Sequence, residues 1–202
     1  MSKIKEVSTL VETKFISLYD IKYLNKCNEE KSWTVASRKK KEVLEEMYLE
    51  GKKDKVDAVI ICAYHKEKNK LVIIKEFRVP INKYIYELPA GLVDSSDDDF
   101  SSAVIRELKE ETGLDVVKIK EDLSSKQVYL SPGMTDESAA FVYCICEGEI
   151  SNKYLEDDED IEAILVSQEE AKTIIKNNDI PMDIRVYLAL QSFALLGEKM
   201  FE

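Results

Sequence analysis

The longest apolar stretches of the chain lie near its middle and have the length of strands. VDAVIICAYH, from Val56 to His65, is almost continuously apolar, and LVIIKEFRVP, from Leu71 to Pro80, follows the polar turn KEKNK. Runs of this length between turn residues are typical of strands that are buried on both faces. The two segments therefore predict neighbouring central strands of a mixed sheet, and Pro80 is expected to end the second one.

Residues 14–50 show a different pattern, in which apolar and polar positions alternate. KFISLYDIKYLN and SWTVASRK alternate in this way on either side of the turn-like KCNEEK, so they predict an antiparallel hairpin. We expect this hairpin to belong to a small β extension at residues 1–50. A main domain would then follow at residues 51–202.

The rest of the chain alternates predicted helices with predicted strands. From about Asp98 to Thr112 the apolar residues recur at helical spacing, and Gly113 follows as a residue that ends helices. Strands are predicted for SKQVYLS, SAAFVYCICEGE and DIEAILVS. Together with the central strands, these elements predict an α/β (α+β) fold, a mixed sheet packed between helices and preceded by the β extension.

Two helices are predicted after the last strand. Ser167 and Glu170 have the spacing of a capping box, which opens a helix through about Lys176. The second helix starts near Asp183 and includes IRVYLALQSFALLG, which is apolar almost all round. A helix of this kind has to be covered by the core or by another subunit.

Composition and charge exclude several classes of function. The chain has 40 acidic and 29 basic residues, a formal net charge of −11, which disfavours nucleic acid and anionic membranes as partners. Neither a signal-peptide h-region nor an 18-residue apolar run is present, so we expect a soluble, cytoplasmic protein. The four cysteines lack metal-ligand spacing and are expected to be reduced, and the only histidine, His65, ends a strand. Any chemistry must therefore rely on carboxylates.

Three glutamates near the end of the first predicted helix are the strongest chemical signal. Glu107, Glu110 and Glu111 emerge around one side of the last two turns. Such pairs repel by about 0.2–0.5 kcal/mol each, and they oppose the helix dipole. Arg106 can pair with Glu110, but Mg²⁺ would compensate more strongly because it prefers carboxylate oxygens. The alternative is a helix face that is simply solvated.

These glutamates lie in a segment that resembles the Nudix box. Its usual form is Gly, five residues, Glu, seven residues, and then Arg-Glu-apolar-any-Glu-Glu-any-Gly-apolar. The chain carries the corresponding residues Gly91, Arg106, Glu107, Leu108, Glu110, Glu111, Gly113 and Leu114. The first half departs from the form, because Asp98 replaces the first glutamate and six residues separate it from Gly91. Alternatively, Asp97 takes this place.

The resemblance implies a metal site and a reaction. Glu107 and Glu111 would be the main ligands of Mg²⁺, or of Mn²⁺ as a second possibility, with help from Glu110 and the main-chain carbonyl of Ala90. Arg106 would orient a glutamate. The implied reaction is attack of water on one phosphorus of a diphosphate, with the metal stabilising charge on the phosphate oxygens.

Four other segments resemble the ADP-ribose pyrophosphatase branch of this family, across about residues 14–196. They are KEFRVPINKYIYELPAGLVD, YLSPGMTDE, SWTVASRK and DIRVYLALQSF. The implied substrate is a nucleoside diphosphate sugar, with ADP-ribose cleaved to AMP and ribose 5-phosphate. Another dinucleotide or sugar, or a non-catalytic nucleotide-binding module, is the alternative. The branch also implies a homodimer that exchanges N-terminal segments, so that both subunits hold adenine.

Several residues are candidates for substrate binding. Trp33, the only tryptophan, would stack on adenine, with core packing as the alternative, and Phe15 would form the other side of the adenine site. Arg38 and Arg78 would pair with phosphate oxygens. Glu87 would bind metal or ribose, or form a structural salt bridge.

The loop YLSPGMTDE and the acidic run before the last strand supply the remaining candidates. Gly133 and Met134 of the loop are implied to contact substrate. The catalytic base is implied to be a glutamate outside the box, either Glu159 in the acidic run or Glu137 in the loop, and Asp157 is a further possibility. The remaining alternative is that no single residue acts as the base. A charge run in a loop is otherwise simply solvated.

Overall fold

A computed structural model describes residues 3–94, 97, 99–156 and 159–202 of the protein. The chain forms two compact units. The first contains the residues up to Asp57 together with Gln127–Ala139, and the second contains Ala58–Lys126 together with Ala140–Glu202. The boundary at residue 50 stays a prediction about domain organisation. The first unit also includes Gln127–Ala139, from the second half of the chain. A single boundary at residue 50 would assign that segment to the other unit.

The first unit is built on a three-stranded antiparallel sheet, in the order β1-β2-β3, and one helix. Its elements are β1 (Ile4–Val11), β2 (Ser17–Leu24), β3 (Glu30–Ser37) and helix α1 (Lys41–Tyr48). The predicted hairpin is present as β2 and β3, and it places Ile21 opposite Trp33. Its small core consists of Val7, Tyr19, Ile21 and Leu44.

Strand β1 and helix α1 are not predicted from the sequence, and each has a physical reason. Strand β1 pairs with β2 through two register shifts, so its apolar positions do not alternate regularly, and only Val7 is fully buried. Helix α1 has eight residues and buries only Leu44, which leaves little helical periodicity to detect.

The other eight strands form one mixed sheet, in the order β11-β5-β4-β10-β8, as the predicted fold class requires. Strand β6 pairs with β5, β7 with β4, and β9 with β10. The strands are β4 (Ala58–His65), β5 (Lys70–Arg78), β6 (Lys83–Glu87), β7 (Ala90–Leu92), β8 (Asp115–Ile119), β9 (Ser125–Tyr129), β10 (Ser138–Glu147) and β11 (Ile161–Val166).

The predicted central strands are confirmed. All eight residues of β4 are buried, and β4 joins β5 through a turn in which Asn69 adopts a left-handed φ of 53°. Strand β5 ends at Arg78, where a 3-10 turn, Val79–Ile81, begins with Pro80 inside it. The fixed φ of proline and its missing N–H explain why the ladder stops there.

Helix α2 (Phe100–Thr112) is the element that presents the box glutamates. It begins two residues later than the predicted Asp98, because Asp99 is the cap and accepts the backbone N–H groups of Ser101 and Ser102. Gly113 ends the helix at a φ of 76°, as predicted. A Cβ atom there would also lie 2.7 Å from the backbone nitrogen of Ser151, so glycine is required by space as well as conformation.

The last two helices follow their predicted caps. Helix α3 (Gln168–Asn177) has the capping box of Ser167 and Glu170, and Asp183 caps α4 (Ile184–Leu196), which a 3-10 turn, Gly197–Phe201, follows. Helix α4 buries one side in the second unit. Four of its apolar residues remain more than half exposed, namely Ile184, Leu188, Leu195 and Leu196.

The core of the second unit packs Ala103, Val104 and Leu108 of α2 against apolar residues of the sheet. Cys144 and Cys146 are fully buried free thiols within this core. Cys62 on β4 is a buried free thiol outside this cluster, whereas Cys27 is exposed. His65 is buried and its Nε2 lies 2.9 Å from the carbonyl oxygen of Gly148. In the part of the chain that the structure describes, no helix combines the length and apolarity needed to cross a membrane.

Candidate active site

Helix α2 carries two buried carboxylates one turn apart. Glu107 and Glu111 are only 8% and 5% exposed, whereas Glu110 is half-buried. Carboxylates are almost never this buried unless they are paired or bind a metal. The first two glutamates therefore do not belong to a solvated helix face.

Strand β7 approaches these carboxylates through its backbone. The N–H of Ala90 donates a hydrogen bond to Oε2 of Glu111 at 3.0 Å. A Cβ atom at Gly91 would lie 1.9 Å from the carboxylate carbon of Glu107, far inside any contact distance. Glycine at position 91 thus leaves the space that the Glu107 carboxylate occupies.

Arg106 connects the helix to the segment after β7. Its Nη1 donates to Glu107 at 2.7 Å and to Glu110 at 3.0 Å. Its Nη2 donates to the carbonyl oxygen of Leu92 at 2.9 Å and to Asp97, also at 2.9 Å. Arg106 therefore contacts two of the glutamates that the box motif contains, and it can hold them in fixed orientations.

Asp97 is the acidic residue of the first half of the box that the structure describes, and Asp98 lies outside the described residues. Besides its ion pair with Arg106, Asp97 accepts the backbone N–H of Asp94 at 2.8 Å. The hydrogen bond from Arg106 holds the pKa of Asp97 below its ordinary value. Asp97 thus remains charged and ties the longer loop to the helix.

The electrostatics of the α2 carboxylates favour a bound cation. Burial raises the pKa of Glu107, and it raises the pKa of Glu111 well above the ordinary value. Neighbouring carboxylates raise these pKa values further, chiefly Glu110 for Glu107 and Glu107 for Glu111, and the charge of Glu159 adds a smaller effect to both. A cation at this place would remove the cost of keeping the buried carboxylates charged.

The donor set suits Mg²⁺, a hard cation that takes one or two protein carboxylates and keeps water and phosphate oxygens as other ligands. Among the residues that the structure describes, no three His, Cys, Asp or Glu side chains lie close enough together to hold a metal ion. A magnesium ion at Glu107 and Glu111 would therefore complete its shell with main-chain, water or substrate oxygens.

A second charged cluster lies on β5 and β6. Nε and Nη2 of Arg78 donate to the two oxygens of Glu87 at 2.8 and 2.6 Å, and Nη1 lies 2.8 Å from Oε1 of Glu76. Arg78, a candidate phosphate ligand, is thus already paired with two carboxylates. For Glu87 the sequence leaves open either binding of metal or ribose or a structural salt bridge. In the structure Glu87 forms a salt bridge with Arg78.

Sequence reasoning did not single out Glu76, although a signal was present. Residues two apart on a strand share one face, so KEFR places Glu76 and Arg78 on the same side of β5. This shared face, more than any motif, indicates that Glu76 lies beside Arg78.

Glu159, one candidate base, lies in the second unit just before β11. Its Oε2 accepts the backbone N–H of Glu156 at 2.9 Å, and its charge raises the pKa of Glu107 and Glu111. Asp157, a further possibility in this run, lies outside the described residues. Glu159 therefore shares the electrostatic environment of the box glutamates.

Glu137, the other candidate base, belongs to the first unit. Its Oε1 accepts a hydrogen bond from Nε of Arg38 at 2.8 Å, and both side chains are partly exposed. The sequence predicts Glu137 as a possible base and Arg38 as a phosphate ligand, and the structure pairs these two residues with each other.

Trp33 lines a pocket within the first unit. The residue is 52% exposed, which excludes core packing, and its indole N–H donates to the carbonyl oxygen of Gly133 at 3.2 Å. Gly133 and Met134 line the same pocket, of about 220 Å³. Phe15 is 68% exposed and does not line this pocket. Of the four residues predicted to contact adenine or the adjoining part of the substrate, a single chain therefore brings together Trp33, Gly133 and Met134.

Comparison with known proteins places this arrangement in a family. Residues 54–186, about two thirds of the chain, match the NUDIX domain family. The chain belongs to the Nudix hydrolase family. The matched residues include strand β7 with Gly91 and the three glutamates of α2.

Relatives of this Nudix hydrolase include a Caenorhabditis elegans protein named as a putative nudix hydrolase. The two are 38% identical over a match that covers 61% of this chain and 57% of that protein. The ADP-ribose pyrophosphatase of Saccharomyces cerevisiae is 31% identical over 82% of the chain and 71% of its own length. A crystal structure of an ADP compounds hydrolase shares the fold, with a TM-score of 0.69 at 16% identity over 94% of this chain and 90% of that one.

Proposed function

We propose that this hydrolase cleaves the diphosphate of ADP-ribose to AMP and ribose 5-phosphate with the help of Mg²⁺. The observation that carries the reaction is the pair of buried carboxylates, Glu107 and Glu111, facing a strand whose Gly91 leaves space for one of them. The resemblance to ADP-ribose pyrophosphatases, including the yeast enzyme, supports the substrate.

Mg²⁺, or Mn²⁺ in its place, would be held by Glu107 and Glu111 with the carbonyl of Ala90, and it would stabilise negative charge on the phosphate oxygens. Glu110, which accepts a hydrogen bond from Arg106, would assist by adding negative charge near the metal. Arg106 keeps two of these glutamates oriented through its hydrogen bonds. Glu107 and Glu111 must lose their protons for this role, and the positive guanidinium of Arg106 favours the charged form of Glu107.

Glu159 is the base that we propose for the attacking water. It lies in the electrostatic environment of Glu107 and Glu111, whereas Glu137 is engaged by Arg38. A base takes the proton as the oxygen of water bonds to phosphorus and the bridging oxygen leaves with the other phosphate. Glu137 would instead fix Arg38 for a phosphate of the substrate.

We propose that Trp33 binds the adenine base. Its indole ring is half exposed and fixed by the hydrogen bond to Gly133, and Met134 adds an apolar wall to the same pocket. Stacking on an aromatic ring is worth about 1–3 kcal/mol per base. Phe15, exposed in the same unit, would complete the adenine site when it is supplied by a second subunit.

Trp33→Ala is expected to raise KM for ADP-ribose by about 5- to 150-fold and to leave kcat within a few-fold, because stacking stabilises ground and transition states alike. Steady-state kinetics measure both constants. Leu10→Ala, at an exposed apolar position on β1, serves as the control and should change neither. An unchanged KM in a folded Trp33→Ala protein would remove Trp33 from the adenine site.

We propose that the active protein is a homodimer. Ile184, Leu188 and Leu195 lie on one side of α4 and are 62%, 54% and 82% exposed, which is costly for a single chain in water. Light scattering at micromolar concentration should give twice the 23.2 kDa of the chain. A mass of one chain would contradict the proposal.

Substrate choice is tested with a panel that contains ADP-ribose, other nucleoside diphosphate sugars and dinucleotides. We expect ADP-ribose to give the highest kcat/KM. A higher value for another compound would keep the chemistry and change the substrate. A module that binds nucleotides without cleaving them would hydrolyse none, but the retention of Glu107, Glu110, Glu111 and Gly91 argues against it.

A further inference from the structure

Arg78 carries one positive charge and is paired with two carboxylates on the same face of the sheet. Glu76 precedes it by two residues on β5, and Glu87 lies on the neighbouring strand β6, opposite Ile74. Residues two apart on a strand and their cross-strand neighbours point to one side. The three side chains therefore form a group with a net charge of −1 when both carboxylates are ionised.

The two carboxylates differ in how they engage the guanidinium. Glu87 accepts two hydrogen bonds, from Nε and Nη2, and its side chain is only 6% exposed. Glu76 meets Nη1 through a single oxygen at 2.8 Å. A bidentate pair is the stronger of the two, so Glu87 anchors Arg78 and Glu76 is the partner that can be given up.

Arg78 nevertheless remains reachable, because 40% of its side chain is exposed. An anion that approaches it meets a guanidinium whose charge is already exceeded by its two neighbours. Ionised Glu76 therefore opposes any phosphate that would bind at Arg78, both by occupying Nη1 and by like-charge repulsion.

We propose that Glu76 is a residue that determines the affinity of the site for its substrate, because it competes with a phosphate group for Arg78. The inference rests on the proposed function, and it takes Arg78 as a ligand of a substrate phosphate, as the sequence predicts. It assigns a role to a carboxylate outside the Nudix box, and it predicts that removing this carboxylate improves binding.

The surroundings of Glu76 make this competition depend on pH. Burial raises its pKa to about 7, the charge of Arg78 lowers it, and the charges of Glu87 and Glu159 raise it. Other charged groups face this cluster from packed helices, namely Glu111 on α2 and the pair Asp183 and Arg185 at the start of α4.

The sign follows from the raised pKa. Below about pH 7 Glu76 is largely protonated and neutral, so no charged carboxylate competes with an anion for Nη1 of Arg78, and above about pH 7 the ionised carboxylate opposes binding. If binding required the protonated form, a pKa of about 7 would lower affinity at pH 8.5 by about 30-fold, because the competent fraction falls tenfold per pH unit above the pKa.

The test compares wild type with Glu76→Gln, since glutamine keeps the size and can still accept a hydrogen bond from Arg78. The ligand is the α,β-methylene analogue of ADP-ribose, which cannot be hydrolysed, with Mg²⁺ present. Calorimetry gives Kd at pH 6.0 and pH 8.5, and titrations in buffers of different ionisation heat give the protons taken up on binding. Glu169→Gln removes the same charge on the exposed side of α3 and serves as the control.

We expect Glu76→Gln to bind the analogue about tenfold more tightly than wild type at pH 8.5 and equally at pH 6.0, and to lose proton uptake at pH 8.5. The ratio between the two proteins is the readout, and it is measured at saturating Mg²⁺ because the charge of Glu76 also raises the pKa of Glu111. Equal Kd values at pH 8.5, weaker binding by Glu76→Gln, or no binding by either protein would overturn the proposal.

The proposed function fails by a different result: it is wrong if the wild-type protein does not hydrolyse ADP-ribose. If wild type hydrolyses ADP-ribose while the two Kd values agree at pH 8.5, only the role of Glu76 is wrong. If Glu76→Gln does not fold, the wild-type protein alone still decides, because proton uptake near zero at pH 8.5 contradicts the competition.

Discussion

Glu111→Gln is expected to lower kcat by about 10²–10³-fold, the effect of deleting one preorganised electrostatic group, about 3–4 kcal/mol. The substitution keeps the size of the side chain, and glutamine can still accept the N–H of Ala90 that Glu111 binds at 3.0 Å. The loss would therefore come from the missing charge at the metal, with the packing of α2 unchanged. Steady-state kinetics across a Mg²⁺ titration measure it.

Thermal unfolding without divalent ions provides the control for this variant. Burial raises the pKa of Glu111 well above its ordinary value, so the charged carboxylate costs stability in the absence of a metal. We expect Tm of the variant to equal or exceed that of the parent without Mg²⁺, and to gain less from added Mg²⁺. A variant that keeps more than about a tenth of the parental kcat would remove Glu111 from the metal site.

Gly91→Ala is the second change with a large expected effect, and it should lower kcat by about 10²-fold. The added Cβ would lie 1.9 Å from the carboxylate carbon of Glu107, so the carboxylate must move away. Displacing a catalytic group by about 1 Å can cost about 10²-fold in rate. Because the group that moves is the end of a flexible side chain, Tm should change little.

Gly51→Ala is a matched control for that variant. Gly51 has a φ of 74° with no heavy atom near its missing Cβ, so alanine there strains the backbone and touches no site residue. It should reduce stability by about 1 kcal/mol and leave kcat unchanged. If Gly91→Ala retained full kcat, β7 would not position Glu107 as the structure implies.

The parts of the fold that the sequence predicts best are those where the local pattern of residues agrees with their burial in the folded protein. Strand β4 is buried along its whole length, and its apolar run has the length of a buried strand and is shorter than most helices. Helix α2 combines apolar spacing with a glycine that ends it at Gly113, and its glutamates lie where the box motif places them. In these segments local sequence and tertiary burial agree.

The parts that the sequence did not predict depend on contacts between distant residues. Register shifts interrupt the alternation of β1, and α1 buries a single leucine, so neither has a clear period. The partners of Arg78 come from two strands, and only the structure shows that Glu87 and Glu76 share one guanidinium. Likewise, the ion pair between Arg38 and Glu137 joins positions 99 residues apart.

The most direct test of the central claim is to incubate the protein with ADP-ribose, with and without Mg²⁺, and to identify the products by chromatography. We predict AMP and ribose 5-phosphate in equal amounts when Mg²⁺ is present and no cleavage when it is chelated. Intact ADP-ribose in the presence of Mg²⁺, or products such as ADP and ribose that leave the diphosphate whole, would contradict the account.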